Sequence, residues 1–382
     1  MKNQIISKII QQGPHLSWLK DKTVFITLHG SRAYGTHTET SDFDYKGICL
    51  CPKEFYLGQR IFEQAELKDP NPDTVIYELR KFAGLAGSAN PNIIETLYTD
   101  PSDHIYIDDI GQELLDNRDL FLSKRLRHSF SGYAFAQLKK MSLRRQWIIN
   151  PPKQPPTRKE MGLPERTVIP QDQLTAAQAS IQKELDKFQF DFMGELNEPT
   201  KIAIQNIMSE MLAEMKISSE QQWLGAARKI GLDDNFIQLM QLERSYLNKK
   251  REWDTYNEWK RNRNPKRAAD EEKYFCDLKN AYHLIRLVRM AKEIITTGKV
   301  IVKRPDREEL LAIRRGAWTY EQIVEYAEKQ DKELSELYKS CNVLPKTPDQ
   351  TKIDKLCIKL IEKSLSRYSW YNIKKYLTRY SR

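Results

Sequence analysis

Residues 28–50 read LHGSRAYGTHTETSDFDYKGICL. The preceding stretch, KTVFITLHG, has the β-branched and aromatic content of a short buried strand that Gly30 ends. DFDYKGICL forms a second strand. Side chains two apart on a strand share a face, so Asp42 and Asp44 present two carboxylates side by side while Phe43 turns into the opposite layer. Like charges so close repel, and a divalent cation between them removes that cost. Mg²⁺, or Mn²⁺ in its place, suits such a seat, since Mg²⁺ is commonly held by one or two carboxylates together with substrate phosphates. Gly30-Ser31 opens a turn toward a short helix, where backbone N–H groups can face an anion. The Ser31 hydroxyl can donate to a phosphate oxygen, and Arg32 or His37 supplies nearby charge. A phosphate cradle some ten residues before two metal carboxylates is what nucleotidyl transfer from a nucleoside triphosphate requires.

Working outward, residues 1–20 carry isoleucines at 5, 6, 9 and 10 broken by polar residues, which describes an amphipathic helix and lacks the continuous apolar region of a signal peptide. TVIYELRKF is a third strand that turns helical from about Arg80 or Lys81. The helix breaks near Asn90-Pro91 and resumes through Glu95. The first hundred residues are therefore α/β. From about 109 onward, apolar residues return every three or four positions and the chain is mainly helical. Prolines at 151, 152, 155, 156, 164 and 170 rule out a continuous helix over 150–173, which reads as a linker or extended arm. A second break, WKRNRNPKRAADEEKYF, reads as a basic loop. The expected organisation is a catalytic domain over 1–108, a basic helical segment over 109–149, the arm over 150–173 and a helical region over 174–382.

Gly-Ser followed by Asp-Phe-Asp between two strands resembles the signature of the DNA polymerase β-like nucleotidyltransferase superfamily. The resemblance implies an α/β (α+β) N-terminal domain with a small mixed sheet, followed here by the mainly α-helical region. It also implies a third carboxylate on a later strand, and in DTVIYELRKFAGLAGSANPNIIETL the candidates are Glu78 and Asp73. The run Tyr77-Glu78-Leu79-Arg80-Lys81 is similar to the W-D-L-R-K…NP…E segment of the predicted nucleotidyltransferases of the YcgL type. That alignment selects Glu78, with Glu in place of the more usual Asp. Asp42, Asp44 and Glu78 are then the expected catalytic metal ligands, and Gly30, Ser31 and Arg32 the expected nucleotide contacts. A weaker likeness runs through NAYHLIRLVRMAKEIITTGKVIV and takes in His283, Arg286, Arg289 and Gly298, without assigning them a function. His283 and Arg286 lie about one turn apart on a helix, either as a face toward base or phosphate or as a partly buried histidine beside solvated arginines.

Composition bounds the partners. The 382 residues are 40% apolar and 30% charged, as in soluble globular chains, and their length implies two or three domains. Lys and Arg number 62 against 52 Asp and Glu, a net charge of +10 that attracts polyanions. Ten of those cations, at 124, 125, 127, 139, 140, 144, 145, 153, 158 and 159, fall between 120 and 159 with no acid among them. The tail RYSWYNIKKYLTRYSR interleaves cations with aromatics, a pattern suited to single-stranded nucleic acid or to docking of a terminal helix. RNA is thus the favoured acceptor. The alternatives are nucleotidylation of a protein or small molecule, or a non-catalytic nucleic-acid-binding or regulatory protein of the same fold. Five cysteines without paired or Cys-x-x-Cys spacing fit a reducing cytoplasm, and the chain holds no apolar run long enough for a membrane span.

Overall fold

The computed structural model describes residues 1–67, 72–190, 219–263 and 265–380. Gly13-Pro14 breaks the helix expected over 1–20. Helix α1 (Lys2–Gln12) stops at Gly13, Pro14 opens a 3₁₀ turn (Pro14–Leu16), and a single turn, α2 (Leu19–Lys22), leads into the sheet. Strand β1 (Thr23–His29) is buried along nearly its whole length because it is paired on both sides. It runs antiparallel to β2 (Asp44–Cys49) and to β5 (His104–Ile107). One-turn helices α3 (Gly30–Ala33) and α4 (Lys53–Leu57) flank β2, followed by β3 (Gln64–Leu67) and β4 (Asp73–Glu78). Among the described residues the sheet has five strands in the order β3-β4-β2-β1-β5. Only β2 and β4 pair in parallel, so the sheet is mixed as expected. The edge strands β3 and β5 had not been read from the sequence. Each has four residues, too few to show an alternation.

Alternation assigns the two faces. Ile26, Tyr45, Cys49, Ala65, Leu67 and Ile76 pack against Ile5, Ile6, Ile9 and Leu19 of the N-terminal helices. Phe25 and Ile48 face the other way, into the main core. That core holds α5 (Leu79–Gly87), α6 (Pro91–Leu97), α7 (Asp109–Asp116) and α8 (Arg125–Ile149). The chain continues as α9 (Gln171–Phe190), α10 (Ser219–Lys229), α11 (Asp234–Asn262), α12 (Pro265–Tyr274), α13 (Leu278–Thr297), α14 (Arg307–Arg314), α15 (Tyr320–Ser340) and α16 (Gln350–Tyr380).

Division of the chain does not follow the expected boundary at 108. One compact unit joins Met1–Ile149 to Pro265–Arg382, and a second comprises Asn150–Asn264. In the first unit α13 packs along α8, α14 and α15, and Gly298 takes φ +70° just past its end, a left-handed conformation that suits glycine. The likeness read through 280–302 therefore falls on the central helix of this unit. Its arginines are not solvated. Arg286, 3% exposed, pairs with the fully buried Glu95 of α6, and its guanidinium lies 3.8 Å from the Tyr34 ring centroid. Tyr34 Oη in turn donates to Glu95 Oε2 at 2.5 Å. Arg289 is held by Asp306 and Glu309, each at 2.7 Å. At the far end of the unit, α16 is tied to α7 by Lys359 and Lys363 on Glu113 and by Arg367 on Asp109. Beyond Arg367, the side chains of the aromatic and basic tail lie outside the described residues.

The second unit has a core of its own, formed by Ile169, Leu174, Ile181, Ala226, Ala227, Ile237 and Met240. The proline-rich stretch contributes to it: Leu163 and Ile169 are buried, and Arg158 Nη1 donates to Glu243 Oε2 at 2.8 Å. The expected basic loop is instead helical on both sides, since α11 runs through Asn262 and α12 begins at Pro265.

Two stability outcomes follow from these ion pairs. Glu95→Gln strands the Arg286 charge in a dry core, and breaking a buried pair in this way costs about 3–5 kcal/mol. Urea unfolding followed by circular dichroism should show a lower midpoint, and the double variant Glu95→Leu/Arg286→Met should recover part of it. Arg158 holds the Glu243 carboxyl below its usual range. The contribution of that pair is complete above the pKa of an unfolded glutamate, about 4.3, and is lost as pH falls through the lower folded value. The stability gap between wild type and Glu243→Gln should therefore be widest near neutral pH and close in acid.

Candidate active site

The strand register decides which carboxylates meet. Asp44 lies opposite His29 on β1 and opposite Asp73 on β4, at the ends of three adjacent strands. Period-two alternation then puts Asp44, Lys46, Asp73 and Val75 on the face away from α1. All four line a cavity of about 430 Å³, together with Gly30, Ser31, Asp42 and Asn92. Asp42 precedes β2 instead of lying on it, yet it reaches the same cavity. Phe43 does not enter the opposite layer. It is 43% exposed and stacks under Arg32, whose guanidinium carbon is 3.5 Å from the ring centroid.

Glu78, expected as the third metal ligand, is elsewhere. It sits five residues along β4 from Asp73, opposite Cys49, and five is an odd step, so it points through the other face. Its carboxylate caps α5, accepting from the main-chain N–H of Arg80 at 2.8 Å and of Lys81 at 3.2 Å, and it also accepts from Tyr56 Oη at 3.1 Å. Asp73, the other candidate, is the carboxylate brought to the pair. Arg32 is likewise not among the cavity-lining residues. Its Nη2 donates to the Ser41 carbonyl at 2.8 Å and its Nε to the Asp42 carbonyl at 3.2 Å, so it clasps the loop that carries Asp42. His37 is exposed and does not line the cavity either.

Gly30 is where sequence and geometry meet most closely. It adopts φ +65°, and a Cβ built on it would fall 2.1 Å from Asp44 Oδ2. Only glycine leaves room for the Asp44 carboxylate to sit against the turn that presents Ser31. His29, just before it, is satisfied by the backbone, its Nε2 lying 3.2 Å from the Asn92 carbonyl. Burial, reinforced by Lys46 and Arg286, pushes its pKa well below the usual value, so it is neutral.

Charge in the cavity is balanced from two sources. Burial raises the Asp44 carboxyl above its usual range, the neighbouring Asp73 and Asp42 raise it further, and Lys279 and Lys46 oppose them. Lys46 is pulled below its usual value by burial, against Glu95, Asp73 and Asp44. Lys279, Tyr282, His283 and Arg314 also line the cavity and come from α13 and α14. Of these, the sequence had singled out only His283. Lys46 carried a signal that could have been used, the continued alternation Asp42, Asp44, Lys46. Lys279 and Arg314 carried none, because only the docking of distant helices brings them here.

The donor set fits a divalent cation. Carboxylates are hard oxygen ligands, and the mutual repulsion felt at Asp44 is what a cation would relieve. No group of three His, Cys, Asp or Glu among the described residues is already gathered to hold an ion.

Residues 3–151 match the family RlaP, described as RNA repair pathway DNA polymerase beta family. This agrees with the DNA polymerase β-like nucleotidyltransferase superfamily that the motifs resemble. The matched segment holds the whole sheet and Gly30, Ser31, Asp42, Asp44 and Asp73. Helices α9 to α16 lie beyond it. Over 134 residues the chain is 29% identical to the "Uncharacterized 38.9 kDa protein in nrdC-mobD intergenic region" of Enterobacteria phage T4, which takes in 32% of this chain and 40% of that protein. No solved structure matches the chain.

The two candidate carboxylates on β4 can be separated by substitution. Asp73→Asn should leave the melting temperature near that of wild type and reduce nucleotidyl transfer by about two orders of magnitude. Glu78→Gln should do the reverse, lowering the melting temperature through the weakened cap while the folded fraction keeps its turnover.

Proposed function

We propose that the protein is a metal-dependent nucleotidyltransferase that moves a nucleoside monophosphate from a nucleoside triphosphate to a hydroxyl of RNA and releases pyrophosphate. The observation that carries this reading is the convergence of Asp42, Asp44 and Asp73 on one cavity beside Gly30-Ser31, with Gly30 shaped to admit Asp44. The matched family, by its description, acts in an RNA repair pathway, and that supports RNA as the acceptor.

The residues divide the work. Asp42, Asp44 and Asp73 would hold Mg²⁺ or Mn²⁺, which when bound lowers the pKa of the attacking hydroxyl and neutralises charge on the leaving pyrophosphate. Ser31 offers a hydroxyl to a phosphate oxygen. Arg32 fixes the 38–42 loop and so the position of Asp42. Neutral His29 keeps the floor of the cavity rigid through Asn92. Lys46 lies among the three carboxylates and opposes their mutual repulsion at Asp44.

The acceptor surface is less basic than the sequence implied. At least four of the ten cations between 120 and 159 are paired within the protein: Arg127 with Asp331, Arg144 with Glu271 and Asp277, Arg145 with Glu321, and Arg158 with Glu243. Five buried free cysteines suit the reducing cytoplasm in which such an acceptor would be met, and no helix among the described residues is long and apolar enough to cross a membrane.

The deciding measurement incubates the protein with each labelled triphosphate, Mg²⁺ and total cellular RNA or protein. Label should enter RNA, and Asp42→Ala and Asp44→Ala should each lower incorporation by about two to three orders of magnitude. Label found only on protein or on a small molecule would move the acceptor, and no label from any triphosphate would leave a binding protein of this fold.

A further inference from the structure

The spacing of residues on α13 points beyond the segment that matches the family. Lys279, Tyr282 or His283, and Arg286 recur at three- to four-residue intervals and so share one face of the helix. Arg286 anchors that face in the buried pair with Glu95. One turn earlier, Tyr282 is buried, and its hydroxyl lies 2.6 Å from Thr36 Oγ1, in the turn that follows Ser31. One turn earlier again, Lys279 is exposed, lines the cavity, and acts on Asp44 as a positive charge. Arg314 enters from α14. Its Nη1 contacts the Thr36 carbonyl at 3.5 Å, and its guanidinium carbon is 6.0 Å from the Tyr282 ring centroid. Arg286 and Tyr282 thus anchor the helix that carries Lys279, and Arg314 reaches the same cavity from α14.

Electrostatics says what those cations face. A triphosphate brings three to four negative charges to a cavity already lined by three carboxylates, so repulsion must be overcome on the side away from β2 and β4. We infer that Lys279 and Arg314 bind the phosphate tail of the nucleoside triphosphate, with Tyr282 and Arg286 as positioning residues that hold α13 in place. Arg suits this task through its planar fork, and Lys as a mobile point charge. The site is then built from two parts of the chain: carboxylates from the sheet and phosphate ligands from α13 and α14. This rests on the nucleotide reading above, and it assigns the phosphate tail to residues outside the family-matched segment.

Equilibrium binding of inorganic tripolyphosphate to the full-length chain in EDTA, measured by titration calorimetry, tests the assignment without turnover or metal. Lys279→Met and Arg314→Met should each weaken binding at least tenfold, Lys279→Arg should retain most of it, and Lys140→Met, an equal loss of charge on the exposed surface of α8, should leave it unchanged. Circular dichroism confirms that each variant is folded. Affinities of the folded Met variants within twofold of wild type, an equal loss in Lys140→Met, or no measurable binding by wild type would each overturn the inference. Specific binding lost in the Met variants, in a protein that transfers no nucleotide, would support this assignment while ending the transferase reading.

Discussion

The Glu95–Arg286 pair is the contact on which the first unit depends. Two opposite charges in a dry core are stable only together and only in good geometry, so the pair fixes the register of α13 against α6 more strictly than apolar packing would. Tyr34 completes the arrangement, donating to the carboxylate and lying under the guanidinium. Every residue that α13 offers to the cavity is placed by reference to that point. A slip of one residue would turn Lys279 through about 100° and swing it off the cavity wall.

The same constraint explains a contrast in the cavity's composition. Its acids come from the strand ends, where the backbone ladder fixes Asp44 against Asp73 without help from side chains. Its cations, Lys46 apart, come from helices that are fixed only by packing and by ion pairs. A carboxylate group held by main-chain hydrogen bonds tolerates surface change, whereas the opposing charges depend on core contacts far from the substrate.

Much of the sheet's site was legible in the sequence because it is local. Gly30-Ser31 and the Asp42, Asp44 alternation lie within fifteen residues, and their spacing already implied one pocket. That the cavity takes Asp73 and not the expected Glu78 has an equally local reason. Alignment of Glu78 with a family segment outweighed the parity of DTVIYE, which sends Asp73, Val75 and Tyr77 to one face and Thr74, Ile76 and Glu78 to the other. Glu78 also stands at the start of a helix, where an acid's ordinary role is to cap. Lys279 and Arg314 were beyond reach, since the helix of the first is anchored by a partner 191 residues away and the second contacts a residue 278 positions away. The basic run over 120–159 misled in the opposite direction, because its acids lie at 243, 271, 277, 321 and 331 and only folding brings them in.

The interrupted order of the first unit, which the chain leaves after Ile149 and re-enters at Pro265, has a consequence during synthesis. A ribosome adding about 5–20 residues per second delivers Arg286 roughly 10–40 s after Glu95. Through that interval α6 carries an acid with no cation to close over it. The second unit can fold around its own core while the first still waits for its closing helix. The wall that α13 and α14 give the cavity is therefore added well after the strands that carry its aspartates.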